Sequence, residues 1–175
     1  MMLEALISSK TRIKLLLKFF VNPSQSAYLR SLAAEFDEST NSVRLELNRL
    51  EEAGLVESYS EGNRKMYKAN GRHPLFDELR NIVLKHLGLD QFIEHIVEKL
   101  GDVKKVFLTG DLANGMNSDL IDVAFVGDVD QVYLLELVEK AQKLLHRKIR
   151  FVVYGIDENL PRELKRGEVL VLWET

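Results

Sequence analysis

The sequence predicts an α+β protein in three parts: three helices closed by a β-hairpin, a helical connector, and a small α/β unit. Apolar residues recur at helical spacing three times before residue 54 and then give way to short alternating runs. Helical spacing returns over residues 73–101. From residue 103 onward, short β-rich runs surround one helical stretch. These changes of period set the expected divisions at 1–72, 73–101 and 102–175.

In the first part, Ser8 or Ser9 caps a helix carrying Ile13, Leu16, Leu17 and Phe20 on one face, and Asn22-Pro23 ends it. Residues 27–36 form a second helix, with Leu29, Leu32, Ala33 and Phe36 at helical spacing. The polar run 37–41 then leads into a third helix with Val43, Leu47, Leu50 and Ala53 inward, closed by Gly54 in the left-handed region. Residues 55–60 and 65–69 read as two strands, with Glu61-Gly62-Asn63-Arg64 as the turn between them. Three helices followed by a hairpin is the order of a winged helix-turn-helix. The connector carries Leu75, Leu79, Ile82, Val83 and Leu87, a break at Gly88, then Leu89, Phe92, Ile93, Ile96, Val97 and Leu100, with an end at Gly101. That stripe serves either a core or a dimer seam. In the last part, 103–108 and 120–127 are strands, 129–146 is a helix with Val132, Leu135, Val138, Ala141 and Leu145 inward, and 149–154 and 169–173 are further strands.

Composition bounds the function. The chain has 175 residues, 46% of them hydrophobic and 29% charged, which excludes a disordered or collagen-like polymer. With no cysteine there is no disulfide scaffold, thiol nucleophile or thiolate zinc site. No run approaches a membrane span, and Lys10, Arg12, Lys14 and Lys18 interrupt the apolar start, so a soluble, cytoplasmic protein is expected. The net charge of -3 divides into +2 over residues 1–72 and -5 over the rest, so any grip on phosphate belongs to the first part. His86 and His95 lack nearby carboxylates at ligand spacing, and neither a metal nor a cofactor is expected.

Off the buried stripe of the third helix lie Thr40, Asn41, Ser42, Arg44, Leu45, Asn48 and Arg49. In a helix-turn-helix the second helix of the pair enters the major groove. Arg addresses guanine bidentately, Asn addresses adenine, and an exposed Leu meets a thymine methyl. Tyr28 and Arg30 are placed to meet phosphate, and the wing tip offers Asn63, Arg64 and Lys65. The segment LNRLEEAGLVESYSEGNRKMYKAN (47–70) resembles the recognition-helix end and wing of ArsR-like and MarR-like regulators.

The order strand, Gly110-Asp111, Ser118-Asp119, then Asp122 on the next strand resembles minimal nucleotidyltransferase domains of the polymerase-β type. The resemblance implies a Gly-Ser pair for phosphates, an Asp-x-Asp pair for Mg²⁺ and a third carboxylate from a later strand. Spacing of two on a strand places both acids on one face. Here Asp111 stands in the Ser position, the acids Asp119 and Asp122 are three apart, and Arg150 falls near the third acid's position. Gly110, Asp111, Ser118, Asp119 and Asp122 therefore read as a vestigial nucleotide site, and catalysis is expected to be absent.

Taken together, 8–23, the third helix, 70–83 and the Gly-turn unit resemble regulators that fuse an ArsR-like winged helix to a nucleotidyltransferase-like domain. That resemblance implies a transcriptional regulator with double-stranded DNA as partner, acting as a homodimer, its last domain sensing a small molecule or nucleotide or assembling the dimer. The alternative is a nucleotidyltransferase using Asp119 and Asp122, with the winged helix docking a protein partner.

Overall fold

The computed structural model describes residues 2–100, 102–116, 118–156, 158, 161–162 and 169–175. The chain is α+β, as expected, with two sheets, and its contacts divide it into two units, residues 1–86 and 87–175. Residues 73–101 contribute to both units. The expected connector end at Gly101 lies outside the described residues.

The first unit opens with a short helix α1 (Met2–Leu6), followed by α2 (Lys10–Val21). Ser9 caps α2, its Oγ accepting from the Arg12 amide at 3.2 Å. α2 buries Leu15, Phe19 and Val21 as well as the expected Ile13, Leu16, Leu17 and Phe20, so it is enclosed on more than one face. The second helix does not begin at Ala27. Ser26–Tyr28 instead forms strand β1, and α3 runs Leu29–Phe36. Tyr28 is extended (φ -112°, ψ 160°), and Ser31 Oγ both accepts from its amide and donates to its carbonyl, which fixes the helix start after it. Asp37, at φ +53°, closes α3 in the left-handed region, and α4 (Thr40–Glu52) begins at the cap Ser39, whose Oγ accepts from the Ser42 amide at 3.1 Å.

α4 buries Val43, Leu47 and Leu50 as expected, but Ala53 is exposed and Glu46 takes a buried place instead. Gly54 adopts φ +72° and turns the chain into β2 (Val56–Glu61), which pairs with β3 (Arg64–Ala69) around Gly62 at φ +58°. β1 pairs with the other edge of β3, giving the order β1-β3-β2. This is the helix-strand-helix-helix-hairpin order of a winged helix. α5 (Phe76–Leu87) follows. Of its apolar stripe, Val83 and Leu87 are buried, whereas Leu75 just before it and Ile82 are exposed.

The second unit begins at Leu87, the last residue of α5, and continues through Gly88 (φ +76°) into α6 (Leu89–Phe92), a π-helical turn (Ile93–Val97) and α7 (Glu98–Leu100). β4 (Val103–Thr109) runs into a four-residue helix, α8 (Gly110–Ala113), then β5 (Leu120–Gly127), α9 (Gln131–Leu145), β6 (Lys148–Tyr154) and β7 (Leu170–Glu174). The sheet order is β6-β5-β4-β7. β5 and β6 are parallel, joined by α9 as a crossover, and the other pairs are antiparallel. α9 buries Val138 and Ala141 as expected, but its inward stripe differs towards the N-terminal end. Leu134, Leu137, Val138 and Ala141 are buried, while Val132 and Leu135 are 71% and 51% exposed. Both stripes satisfy a 3.6-residue period, and packing against the sheet selects one. Among the described residues, no helix is long and apolar enough to cross a membrane.

Candidate nucleic-acid interface and the turn after β4

The capping of α4 by Ser39 points the first turns of that helix outward, with Thr40, Asn41, Ser42, Arg44, Leu45, Asn48 and Arg49 all exposed. The wing then stands beside it. Between them lies an open cleft of about 580 Å³ lined by Tyr28, Leu29, Arg30, Arg44, Asn48, Asn63, Arg64, Lys65 and Tyr67. Seven of the twelve residues singled out from sequence are thus brought to one place. Thr40, Asn41, Ser42, Leu45 and Arg49 lie on α4 outside this lining, and Ser42 Oγ shares a hydrogen bond with Ser39 Oγ at 2.8 Å.

The cations of this region differ in what they have left to offer. Arg49 turns to Glu46, donating from Nη1 to Oε1 at 2.9 Å, while Arg12 Nε holds the other oxygen at 2.8 Å. Burial pushes the Glu46 carboxyl up, but its bonds from Arg12 and Ser9 and the charge of Arg49 outweigh this and hold it low. Lys65 Nζ sits 2.8 Å from Glu51 Oε2, and Ser58 Oγ donates to Glu51 Oε1. The Lys65 bond, then the Ser58 bond, lowers the Glu51 carboxyl, and the Glu51 bond raises Lys65. The Arg64 guanidinium carbon lies over the Tyr28 ring, 4.6 Å from its centroid. Arg30 and Arg44 have no ion-pair partner among the described residues. The sequence reading did not single out Leu29 and Tyr67, which line the cleft, or Ser58 of β2 and Glu51 of α4, which hold the wing beside it.

In the second unit, Thr109, Asp122 and Arg150 are neighbours across three strands. Arg150 Nε donates to Asp122 Oδ1 at 2.5 Å, and this bond, with further attraction from Asp111, raises the arginine. Gly110, at φ +66°, turns the chain from β4 into α8. A Cβ there would lie 2.5 Å from Asp122 Oδ2, so the absence of a side chain is what lets the turn meet the carboxylate. Gly110, Asp122 and Arg150 border a recess of about 280 Å³. Ser118 and Asp119 are elsewhere, in an open cleft with Lys143, His146, Arg147 and Lys148. There Arg147 Nη1 donates to the Ser118 carbonyl; burial pushes Arg147 down and Asp119 partly restores it. The two acids expected to act together therefore line different recesses. Among the described residues, no three His, Cys, Asp or Glu gather at metal-binding distance. In this arrangement one oxygen of Asp122 is already held by Arg150.

No protein-family model matches the chain, and no curated protein sequence matches it. Among solved structures, it is similar to a tri-AMPylated Shewanella oneidensis HEPN toxin in complex with MNT antitoxin, at 18% identity and a TM-score of 0.38, over 52% of this chain and 73% of that one. It is also similar to a mutant of the toxin–antitoxin MntA–HpeT, at 17% identity and a TM-score of 0.40, over 50% of this chain and 73% of that one. These likenesses do not support the expectation that catalysis is absent, and it is not retained.

Proposed function

We propose that the first unit binds double-stranded DNA, with α4 in the major groove and the β2–β3 wing along the backbone, and that the chain works as a homodimeric transcriptional regulator. The observation that carries this reading is the cleft itself. It gathers Arg30, Arg44, Arg64 and two asparagines, Asn48 and Asn63, between a capped helix and a hairpin. Arginine and asparagine are the side chains whose donors and acceptors match base edges, and cations draw phosphate. Selection of bound duplexes from a random pool tests it. An enriched two-fold or directly repeated motif supports the regulator, and an unenriched pool at low salt removes it. Within that reading, Arg44→Ala costs about 1–3 kcal/mol of binding and relaxes the base preference at one position. Equal loss across all sequences would assign Arg44 to the backbone instead.

A second reading is nucleotide transfer by the second unit, with the winged helix docking a protein partner. It is supported by the Gly110 turn held against Asp122, and the AMPylation recorded in one of the similar assemblies motivates the assay. The measurement is transfer of label from ATP with Mg²⁺ to candidate proteins, by the wild type and by Asp122→Asn. Label that disappears in the variant supports the reading, and label that persists removes Asp122 from it.

A further inference from the structure

We infer that Glu51 and Tyr28 are positioning residues that clamp the wing against α4, and that Lys65 is a tether within this clamp and not a phosphate contact. The inference deepens the DNA-binding reading, although the clamp itself does not depend on it. Arg64 and Lys65 are consecutive on β3, so their side chains leave opposite faces of the hairpin. On one face, Glu51 of α4 spans both strands of the wing, holding Ser58 of β2 with one oxygen and Lys65 of β3 with the other. Lys65 also lies 5.0 Å from the Tyr67 ring, on its own side of the strand. On the opposite face, Arg64 is stacked on Tyr28, the residue that ends β1 and precedes α3. Behind it, Tyr59 Oη donates to Ser26 Oγ at 2.9 Å, joining β2 to β1 across the central strand.

A hairpin with a free tip pivots on its two ends. Here one carboxylate and one aromatic ring grip it from both sides, which fixes the distance between wing and helix. A groove-binding protein needs that distance fixed, because helix and wing must reach groove and backbone together. The grip also alters the charge count. The charge of Lys65 is balanced by the Glu51 carboxylate beside it, while Arg64 lies over a ring and has no carboxylate partner among the described residues.

The test uses the full chain with Glu51→Gln and with the exchanged pair Glu51→Lys plus Lys65→Glu. Amide hydrogen exchange over residues 56–69 is expected to quicken about two- to fivefold in Glu51→Gln, the range of a partly exposed ion pair, and to return towards wild type in the exchanged pair. Unchanged exchange in Glu51→Gln would overturn the clamp. Affinity for the selected duplex gives the second readout: the exchanged pair should bind within about twofold of wild type. If it binds as weakly as Lys65→Ala, position 65 needs a positive charge facing phosphate, and the tether assignment fails. Failure of the wild type to select any duplex would remove the DNA reading, while the exchange data would still decide the clamp.

Discussion

At the scale of single residues, the two glycine turns do different work. Gly62 sits at the wing tip with open space around the position of a Cβ, so only its backbone angle favours glycine. Gly110 combines a left-handed angle with a carboxylate at 2.5 Å from that position. Gly110→Ala is therefore expected to cost about 1–2 kcal/mol from backbone strain alone, and more if Asp122 is pushed off Arg150. Urea denaturation checks this, and Gly62→Ala serves as the comparison with strain but no collision. The residues that face outward from α4 were legible because an amphipathic helix declares its exposed side. Arg44 and Asn48 follow directly from the spacing of Val43, Leu47 and Leu50. The Glu51–Lys65 pair was not legible, because it closes across a turn and a strand, and no local period links its members. The Asp122–Arg150 pair was half legible. Sequence placed a cation where an acid was expected, but only the parallel register of β5 and β6 sets the two side by side.

At the scale of elements, caps and acids set the conditions under which the first unit holds together. Ser39 is the only side chain seen accepting from an amide in the first turn of α4 among the described residues. Ser39→Ala is expected to destabilise by about 1 kcal/mol and to fray the end of the helix that faces the cleft. A lowered thermal midpoint with faster exchange over residues 40–43 would register both. Glu38, Glu46 and Glu51 are each held below their ordinary value. For Glu38, burial pushes upward, but Lys14 and Thr11 prevail. A carboxylate lowered by folding contributes fully above its unfolded value and loses that contribution as pH falls through the folded one. Stability of the first unit should accordingly stay level from neutral pH down to about 4.5 and fall steadily below it. Urea midpoints measured across that range check the sign, with Glu46→Gln flattening part of the decline. Sequence reading placed most helices and strands here because each begins or ends on a capping residue, proline or glycine. It missed β1, since three residues are too few to show a period and their strand character comes from pairing with β3. On α9 it placed Val138 and Ala141 inward correctly but chose Val132 and Leu135 over Leu134 and Leu137, because both pairs fit a helical period.

At the scale of the whole chain, the charge division seen in the sequence becomes a quantitative expectation. With Lys65 and Arg49 engaged by glutamates and Arg44 assigned to a base edge, Arg30 and Arg64 are the cations the cleft can turn to phosphate. Log affinity against log salt should then have a slope of about -2 for each bound copy, and twice that for a dimer on two half-sites. A much steeper slope would mean that the paired cations also take part. In the second unit, β6 is an edge strand of the four-stranded sheet, with β5 on one side and no strand on the other among the described residues. Its sequence, KIRFVVY, is apolar after its first three residues and would be a ready template for a foreign strand. Lys148 and Arg150 stand at alternate positions on that edge, and Arg150 is largely solvent-exposed even while bound to Asp122. The arginine that pairs with Asp122 of β5 thus also works as a gatekeeper. Replacing it with a neutral apolar residue would leave the strand free to recruit others, and the chain would be expected to lose colloidal solubility before it lost its fold.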